Sequence, residues 1–374
     1  MIYLDYAASC VPFAQAAELS CRLSLDCYAS PGAIHSSGDR ARNVLNESRK
    51  ALAQLLQVRD REVFFTSGGT EANNWAVKLG CRQGRGRTIL AGATEHKSVL
   101  EAAFAMEMEG FRVKLLSPDH RGFISPAALE EAMTPDVCLV CIQAVNNETG
   151  ALQDIEAISR ITRKARVPFL CDAVQAFGHV DLPLHRADFI TLSAHKFGGL
   201  RGAGCLAVRY PYTLPPLLHG GGQELGLRSG TENVPGIAAM AWAAQQALAE
   251  MPREGERLAA LRNKLRTGLE QTVPNFAVNG EPGHPGILSG YFPGIRAEAL
   301  TAKLSARGIC VSPGAACAAR DPKPSHVLLA MGCSEERASH SVRFSLGRNT
   351  TEEEIEATLA AIREVWSVEC EVRS

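Results

Sequence analysis

The sequence predicts an α/β protein in which a mostly parallel sheet is covered by helices on both faces and is followed by a smaller α+β domain. Continuous apolar strands alternate with helical patterns through the first two-thirds of the chain. Such alternation is typical of parallel sheets buried between helices. After a Gly- and Pro-rich stretch, a long helical segment over about residues 235–271 leads into shorter, mixed elements.

The individual elements follow from their periodicity. Apolar residues at helical spacing predict helices in SSGDRARNVLNESRKALAQLLQV, GTEANNWAVKLGC, KSVLEAAFAMEMEG and DIEAISRITRKAR. Short apolar runs predict strands in EVFFTS, RTILAG, RVKLLS, DVCLVCIQAV, VPFLCD, ADFITLSA and GAGCLAVRY. The remainder predicts strands in GILSGYF and SVRFSL and helices in AEALTAKLSARG and TEEEIEATLAAIREVW. We place the domain boundary in the long helix, so that residues 14–250 form the large domain and residues 251–374, with 1–13, the small one.

The composition is that of a globular protein and gives no sign of a nucleic-acid or membrane partner. The 374 residues include 39 basic and 40 acidic side chains, with no block of like charge, which disfavours direct nucleic-acid binding. The first residues, MIYLDYAASC, lack the pattern of a signal peptide, and the most apolar helical stretch is too short to span a bilayer. We therefore expect a cytoplasmic protein that binds neither nucleic acid nor membrane.

The 12 cysteines show no disulfide-scaffold spacing and are expected to be free thiols. Cys138 and Cys141 lie in the apolar run VCLVCIQAV, where residues three apart on a strand point to opposite faces, so they are predicted to pack in the core. Cys317 is different, because its surroundings, VSPGAACAARDPKPSHVL, have neither helical nor strand periodicity. Taken alone, a loop cysteine is more often incidental than catalytic.

Polar side chains follow several predicted strands at the point where each strand ends. Asp172 ends the strand in VPFLCD, and Ser193, His195 and Lys196 follow the strand in ADFITLSA. Open α/β sheets bind their ligands at this edge. Considered separately, Asp172 would more simply cap a helix and Lys196 would be a solvated surface residue.

A glycine-rich turn supplies a second kind of group. In FFTSGGTEANN a strand runs through Gly68, Gly69 and Thr70 into a helix, where free N–H groups and the helix dipole favour phosphate. The turn matches neither a P-loop nor the dinucleotide-binding fingerprint, and alone it is weak evidence.

Together these groups are those that pyridoxal phosphate requires: a lysine for its Schiff base, an acid facing the ring nitrogen and a phosphate cradle. His96 follows the strand in RTILAG, where an imidazole could stack on the ring, and Asn146 and Asn147 follow a further strand. Arg343, in VRFSLGR, offers a planar two-pronged donor that suits the carboxylate of an amino acid, although a surface salt bridge is about as common for an isolated arginine.

Nine stretches give the sequence a resemblance to the cysteine desulfurases, which are class V members of the fold-type-I pyridoxal phosphate-dependent transferases. They cover almost the whole chain in order: YLDYAAS, SPGAIHSSG, FTSGGTEANN, TEHKSVL, VNNETG, CDAVQAFG, SAHKFGG, GGGQELGLRSGTEN and SVRFSLGRNTTEEEI. The resemblance implies a seven-stranded, mostly parallel sheet in the large domain and a small domain that carries the Cys317 loop.

The resemblance also implies a role for each candidate residue. Lys196, Cys317 and His96 would be catalytic. Lys196 would hold the cofactor as a Schiff base, Asp172 would pair with its ring nitrogen, His96 would stack on the ring and relay protons, and Gln175 would contact the phenolic oxygen. Gly69, Thr70, Ser193 and His195 would bind the phosphate, Thr231 would reach it from the partner subunit, Asn147 would lie near substrate and ring, and Arg343 would bind the substrate carboxylate.

The implied reaction transfers sulfur from L-cysteine to Cys317, leaving L-alanine and a persulfide that passes to an acceptor protein for iron–sulfur clusters, thiolated tRNA or another sulfur-containing product. The implied assembly is a homodimer. The chain departs from the family pattern at Leu200 and Arg201, where Pro-Lys is usual, at Ser30, where Asn is common, and beside Cys317, where Ala replaces Ser.

Other functions remain open at this stage. A selenocysteine lyase shares the fold and a loop cysteine, a class V transaminase would need no loop thiol, and a catalytically idle scaffold would need none of the polar groups. A metal enzyme is disfavoured, because the histidines show no metal-ligand spacing.

Overall fold

The computed structural model describes residues 1–314 and 324–373. Within these residues the helices are α1 (Ala14–Asp26), α2 (Ser36–Leu56), α3 (Gly69–Gly80), α4 (Lys97–Ala105), α5 (Pro126–Ala132), α6 (Ile155–Ala165), α7 (Val234–Thr272), α8 (Ala297–Ser305), α9 (His326–Ala330), α10 (Glu335–Ser339) and α11 (Glu352–Arg373). The strands are β1 (Ile2–Tyr3), β2 (Val63–Thr66), β3 (Thr88–Gly92), β4 (Arg112–Leu116), β5 (Val137–Cys141), β6 (Phe169–Asp172), β7 (Phe189–Ser193), β8 (Gly204–Val208), β9 (Ala277–Val278), β10 (Ile287–Tyr291), β11 (Ile309–Cys310) and β12 (Ser341–Ser345).

The central sheet has seven strands in the order β2-β8-β7-β6-β5-β3-β4. Strand β8 is antiparallel to both of its neighbours, and the other pairings are parallel. Every strand except β8 therefore runs in one direction, and their carboxyl ends meet at one edge. The prediction of a mostly parallel, seven-stranded sheet is confirmed.

Helices cover both faces of this sheet, as the continuous apolar strands predict. On β2, Phe64 packs with Trp75 of α3 and the α4 side chains, whereas Phe65 faces the opposite way and packs with α2 and α7. The same alternation along β6 places Leu170 on one face and Phe169 on the other. The inner strands thus contribute side chains to two cores, which is why their sequences are apolar throughout rather than alternating. The edge strand β4 is largely exposed and carries Arg112 and Lys114.

A third core lies outside the sheet. It joins Leu4, near the start of the chain, to residues from Leu258 onward, including Phe344 and Ile355. Strand β1 pairs with β11, and β10 pairs with β9 and β12. The exact division at residue 250 stays a prediction, since α7 runs through that position without a break.

Candidate active site

A cavity of about 300 Å³ lies at the carboxyl edge of the sheet, where β2, β3, β5, β6 and β7 end. Its lining includes these residues that the sequence singled out: Gly69, Thr70, His96, Asn147, Asp172, Gln175, Ser193, His195, Lys196 and Arg343. All but Arg343 come from the sheet edge and the turns that follow it. Arg343 comes from β12, in the part of the chain that forms the third core.

Lys196 lies in a short 3₁₀ turn directly after β7. Its Nζ donates hydrogen bonds to the carbonyl oxygens of Ala7 and, at 3.0 Å, Ala8. Burial, together with the positive charge of Arg343, lowers the pKa of this amine to about 8. Roughly a tenth of the amine is therefore neutral at pH 7, several hundred times more than for an ordinary lysine, and the neutral amine is the state that Schiff-base chemistry needs.

The backbone carbonyl group of Lys196 is also fixed by hydrogen bonds. Its carbonyl oxygen accepts a hydrogen bond of 2.8 Å from Cys10 Sγ and another of 2.8 Å from His179 Nε2. These contacts fix the turn that carries the amine.

Asp172 is the last residue of β6, and its carboxylate is buried and bonded at both oxygens. Oδ1 accepts from the backbone N–H of Val174 at 2.9 Å, and Oδ2 accepts from Asn73 Nδ2 at 2.7 Å. The acid is thus held in one orientation at the cavity wall.

His96 caps the N-terminus of α4. Its Nδ1 accepts from the Ser98 backbone N–H at 3.1 Å and lies 2.7 Å from Ser98 Oγ. Burial lowers the pKa of this imidazole, with Asp172 opposing and Lys196 reinforcing the shift. The ring is therefore neutral near pH 7, and because Nδ1 accepts, its proton resides on Nε2.

The phosphate end of the predicted site is the start of α3. Gly68 has a φ of 157°, a conformation that favours glycine, and the first N–H groups of α3 point outward with the positive end of the helix dipole. A Cβ at Gly69 would come within 2.8 Å of Val174 Cγ2, so glycine is required for close packing here. His195, whose pKa burial and Lys196 lower to about 4, is neutral beside this cradle.

Arg343 is 1% exposed and is oriented by two contacts. Nη2 bonds Asp5 Oδ1 and Nη1 bonds the Asn147 carbonyl oxygen, each at 2.8 Å. Its Nε is buried with no hydrogen-bond partner among the described residues. A buried donor without a partner costs free energy, so this edge of the guanidinium is suited to an arriving carboxylate.

The residues present fit pyridoxal phosphate. Gln175 Oε1 is buried and has no partner in the described part of the chain, so the Gln175 amide is placed for a group that occupies the cavity. Lys196, Asp172 and the α3 turn supply an amine, an acid and an anion cradle around the same space. Among residues 1–314 and 324–373, no group of three or more His, Cys, Asp or Glu side chains is placed to hold a metal ion.

Three predicted residues are not part of this lining. Thr231 is exposed just before α7, and its predicted role at a partner subunit's phosphate site stays a prediction. Asn146 builds the turn after β5 instead, with its Oδ1 accepting from the backbone N–H groups of Glu148 and Thr149. Cys317 lies outside the described residues. Cys138 and Cys141 are buried free thiols in β5, as predicted. The expectation that they point to opposite faces is wrong: both lie in the same core, because the register of β5 with β3 shifts between Thr88 and Ile89 and interrupts the alternation.

Sequence reasoning missed several groups at the cavity. Asn73 lies one helical turn after Gly69, a spacing that could have drawn attention to it. His326 also lines the cavity, and its Nε2 lies 3.0 Å from the Glu95 carbonyl oxygen. Next to it, Ser325 caps α9 and donates to buried Glu148 Oε2 at 2.5 Å. No local pattern marks these contacts, because they join distant parts of the chain.

The fold and the site together define a class of protein. Its features are a buried lysine after β7, an acid at the end of the neighbouring strand β6, and an anion cradle at the start of α3. The chain belongs to the class V aminotransferase family, whose model matches residues 2–358.

Within that family the chain is similar to proteins called cysteine desulfurase IscS. It is 36% identical to that of Clostridium botulinum over 97% of this chain and 94% of the relative. It is 40% identical to that of Anaeromyxobacter dehalogenans over 95% of this chain and 90% of the relative.

Solved structures agree. A NifS-like protein superposes with a TM-score of 0.92 at 36% identity, covering 98% of this chain and 99% of the other. A NifS-like protein from Rickettsia africae superposes with a TM-score of 0.87 at 32% identity, with the same coverage. The resemblance found in the sequence is confirmed.

Proposed function

We propose that this chain is a pyridoxal phosphate-dependent cysteine desulfurase. The observation that carries the proposal is the single cavity in which Lys196, Asp172, His96 and Arg343 meet. The similarity to proteins named cysteine desulfurase supports the choice of L-cysteine as substrate.

Pyridoxal phosphate, when bound, supplies an electron-withdrawing ring that allows an amino acid to lose its α-proton. Lys196 would hold the cofactor covalently, Asp172 would face its ring nitrogen, and Gln175 would meet its phenolic oxygen. His96 would stack on the ring. The phosphate would lie on Gly69, Thr70, Ser193 and His195, with Thr231 of the partner subunit.

The remaining groups orient the substrate and move protons. The Nε of Arg343, which has no partner in the part of the chain that the structure describes, is suited to the substrate carboxylate. Asn147, whose carbonyl oxygen accepts from Arg343, would lie near that carboxylate. A lysine with a pKa near 8 can take up the α-proton once its amine is released. Neutral His96 carries a proton on Nε2 and can relay it for the thiol steps.

Cys317 would accept the sulfur. Its thiolate attacks the sulfur of L-cysteine, the substrate C–S bond breaks, and the substrate carbon takes a proton, so that L-alanine leaves and Cys317 holds a persulfide. An acceptor protein then receives this sulfur for iron–sulfur cluster assembly, tRNA thiolation or another sulfur-containing product.

Assembly, location and domain division complete the proposal. Exposed Thr231 supports a homodimer in which each subunit completes its partner's phosphate site. The third core supports a small domain of residues 251–374 with 1–13, packed beside a large domain of residues 14–250. We also propose a cytoplasmic location. As a separate finding, none of the described helices is long and apolar enough to cross a membrane.

The test is the product balance of purified protein supplied with pyridoxal phosphate. L-cysteine with a reductant should give alanine and sulfide in equal amounts. Lys196→Ala should abolish this turnover, whereas Lys114→Ala, at an exposed lysine on β4, should not. Turnover dominated by L-selenocysteine would instead indicate a selenocysteine lyase, and amino transfer to a keto acid without sulfide would indicate a transaminase. Absence of cofactor binding would favour an idle scaffold.

A further inference from the structure

A continuous series of side-chain hydrogen bonds, buried at Asn73 and partly buried at His96, joins Asp172 to His96. Asn73 Nδ2 donates to Asp172 Oδ2 at 2.7 Å and to Ser98 Oγ at 2.9 Å. Ser98 Oγ in turn lies 2.7 Å from His96 Nδ1. Asn73 itself belongs to α3, whereas Asp172 is the last residue of β6 and His96 follows β3.

Donor and acceptor can be assigned for each hydrogen bond in this series. A carboxylate oxygen accepts, so the Asn73 atom facing Asp172 must be the NH₂ group, and its carbonyl oxygen accepts from Thr191 Oγ1 at 2.7 Å. Both amide protons and the amide oxygen are thereby used. Because Ser98 Oγ accepts from Asn73, its own proton is free to be donated to His96 Nδ1, which also accepts from the Ser98 backbone N–H at 3.1 Å.

We propose that Asn73 is a positioning residue that couples the two polar groups of the site, holding Asp172 directly and His96 through Ser98. The inference rests on the proposed function for the roles of Asp172 and His96. It adds that neither group is oriented independently. Loss of the Asn73 amide removes a donor from Asp172 and also frees the Ser98 hydroxyl from its fixed direction.

The coupling predicts the direction in which the pKa of His96 changes when the Ser98 hydroxyl is removed. A donor at Nδ1 stabilises the neutral imidazole and so disfavours protonation. The charged or titratable groups that act on this ring are Asp172, Lys196, His326 and Glu148, and burial is the largest influence. Removal of the Ser98 hydroxyl leaves those groups in place. A shift in the pKa of His96 after that removal therefore reports the hydrogen bond between Ser98 Oγ and His96 Nδ1.

The experiment compares three variants by two readouts. The first readout is the His96 titration by NMR of labelled histidine side chains, assigned with His96→Gln. The second is the pH midpoint of the absorbance of bound pyridoxal phosphate, which reports the Asp172 side. The variants are Ser98→Ala, Asn73→Ala and the control Asn74→Ala. Among the described residues, the Asn74 amide donates to the backbone carbonyl oxygens of Thr70 and Ser98 and to no side chain of the site.

A specific pattern is expected. Ser98→Ala should raise the pKa of His96 by about half a pH unit, since the hydroxyl donor to Nδ1 is lost while the backbone N–H of residue 98 remains. It should leave the cofactor midpoint unchanged. Asn73→Ala should raise the pKa of His96, because the Ser98 hydroxyl loses its fixed direction. It should also raise the pH midpoint of the cofactor absorbance: an Asp172 carboxylate that has lost a hydrogen-bond donor stabilises a positive charge on the bound cofactor more strongly. Asn74→Ala should change neither readout.

Other patterns overturn the proposal. If Ser98→Ala leaves the His96 titration unchanged, or Asn73→Ala moves only one readout, the two groups are oriented independently. Ser98→Ala removes one oxygen and decides the matter even if Asn73→Ala does not fold. If the wild type binds no pyridoxal phosphate, the proposed function fails, while the His96 titration still tests the coupling.

Discussion

Asp5→Asn tests how the site holds its buried arginine. The Arg343 side chain is 1% exposed, and Asp5, at 20%, supplies the negative charge that faces it at 2.8 Å. The asparagine keeps an oxygen acceptor of the same shape, so the substitution removes the charge and little else.

The magnitude follows from this burial. Removing one partner of a buried ion pair costs about 3–5 kcal/mol, and a hydrogen bond to a charged group contributes about 1.5–3 kcal/mol. Because the acceptor remains and Asp5 is partly exposed, we expect a loss of about 2 kcal/mol of unfolding free energy. For a chain of 374 residues the entropy of unfolding is about 0.8 kcal/mol per kelvin, so the Tm should fall by about 2–3 °C.

The substitution should also change Lys196. Burial and Arg343 lower the pKa of this amine to about 8, while Asp5 is one of the groups that oppose the shift. Removal of the Asp5 charge should therefore lower the pKa further.

The assay is thermal unfolding of the cofactor-saturated protein at pH 7, comparing wild type, Asp5→Asn and Asp181→Asn. Asp181 is exposed, so the same chemical change there should leave the Tm unchanged. Equal Tm values for the two variants would show that Arg343 does not depend on Asp5, and the reasoning about this pair would be refuted.

Three further results are expected. In cofactor-free protein, acylation of Lys196 by a small amine-reactive reagent, followed by mass spectrometry, should rise with pH through a midpoint near 8, because the amine is protonated below it; a midpoint near the ordinary value of 10.5 would contradict the burial argument. Gln175→Leu should leave the stability of the cofactor-free protein within about 0.5 kcal/mol, since Oε1 has no partner there among the described residues, but should weaken pyridoxal phosphate binding about tenfold in an absorbance titration; unchanged affinity would remove Gln175 from the site. Ser325→Ala should cost about 2 kcal/mol in unfolding free energy, because α9 loses its cap and Glu148 Oε2 loses a donor; a loss below about 0.5 kcal/mol would show that neither contact matters.

The sequence predicts those parts of the molecule that leave a local signal. The apolar runs that became β5, β7 and β8 are buried along their whole length, and the helical spacing predicted over 235–271 corresponds to α7. Asp172 and Lys196 could be recognised because each follows such a run directly. Short helices such as α5 and α9 span too few residues to show a period.

What could not be predicted depends on contacts between distant parts of the chain. Asn73 and Asp172 are 99 residues apart, and nothing near either residue indicates that they share a hydrogen bond. The amine of Lys196 is held by the carbonyl oxygens of Ala7 and Ala8, which are backbone atoms and leave no trace in side-chain chemistry. The reversed direction of β8 is likewise set by pairing rather than by composition.

The most direct test of the proposed function is alanine and sulfide release from L-cysteine by wild type, Cys317→Ser and Cys21→Ser, each loaded with pyridoxal phosphate and supplied with a reductant. Cys21 is an exposed free thiol on α1 and serves as the matched control. We expect equal release of both products by wild type and Cys21→Ser, and retained cofactor absorbance without turnover in Cys317→Ser. Full turnover by Cys317→Ser would show that this cysteine does not accept the sulfur, and the proposed mechanism would be wrong.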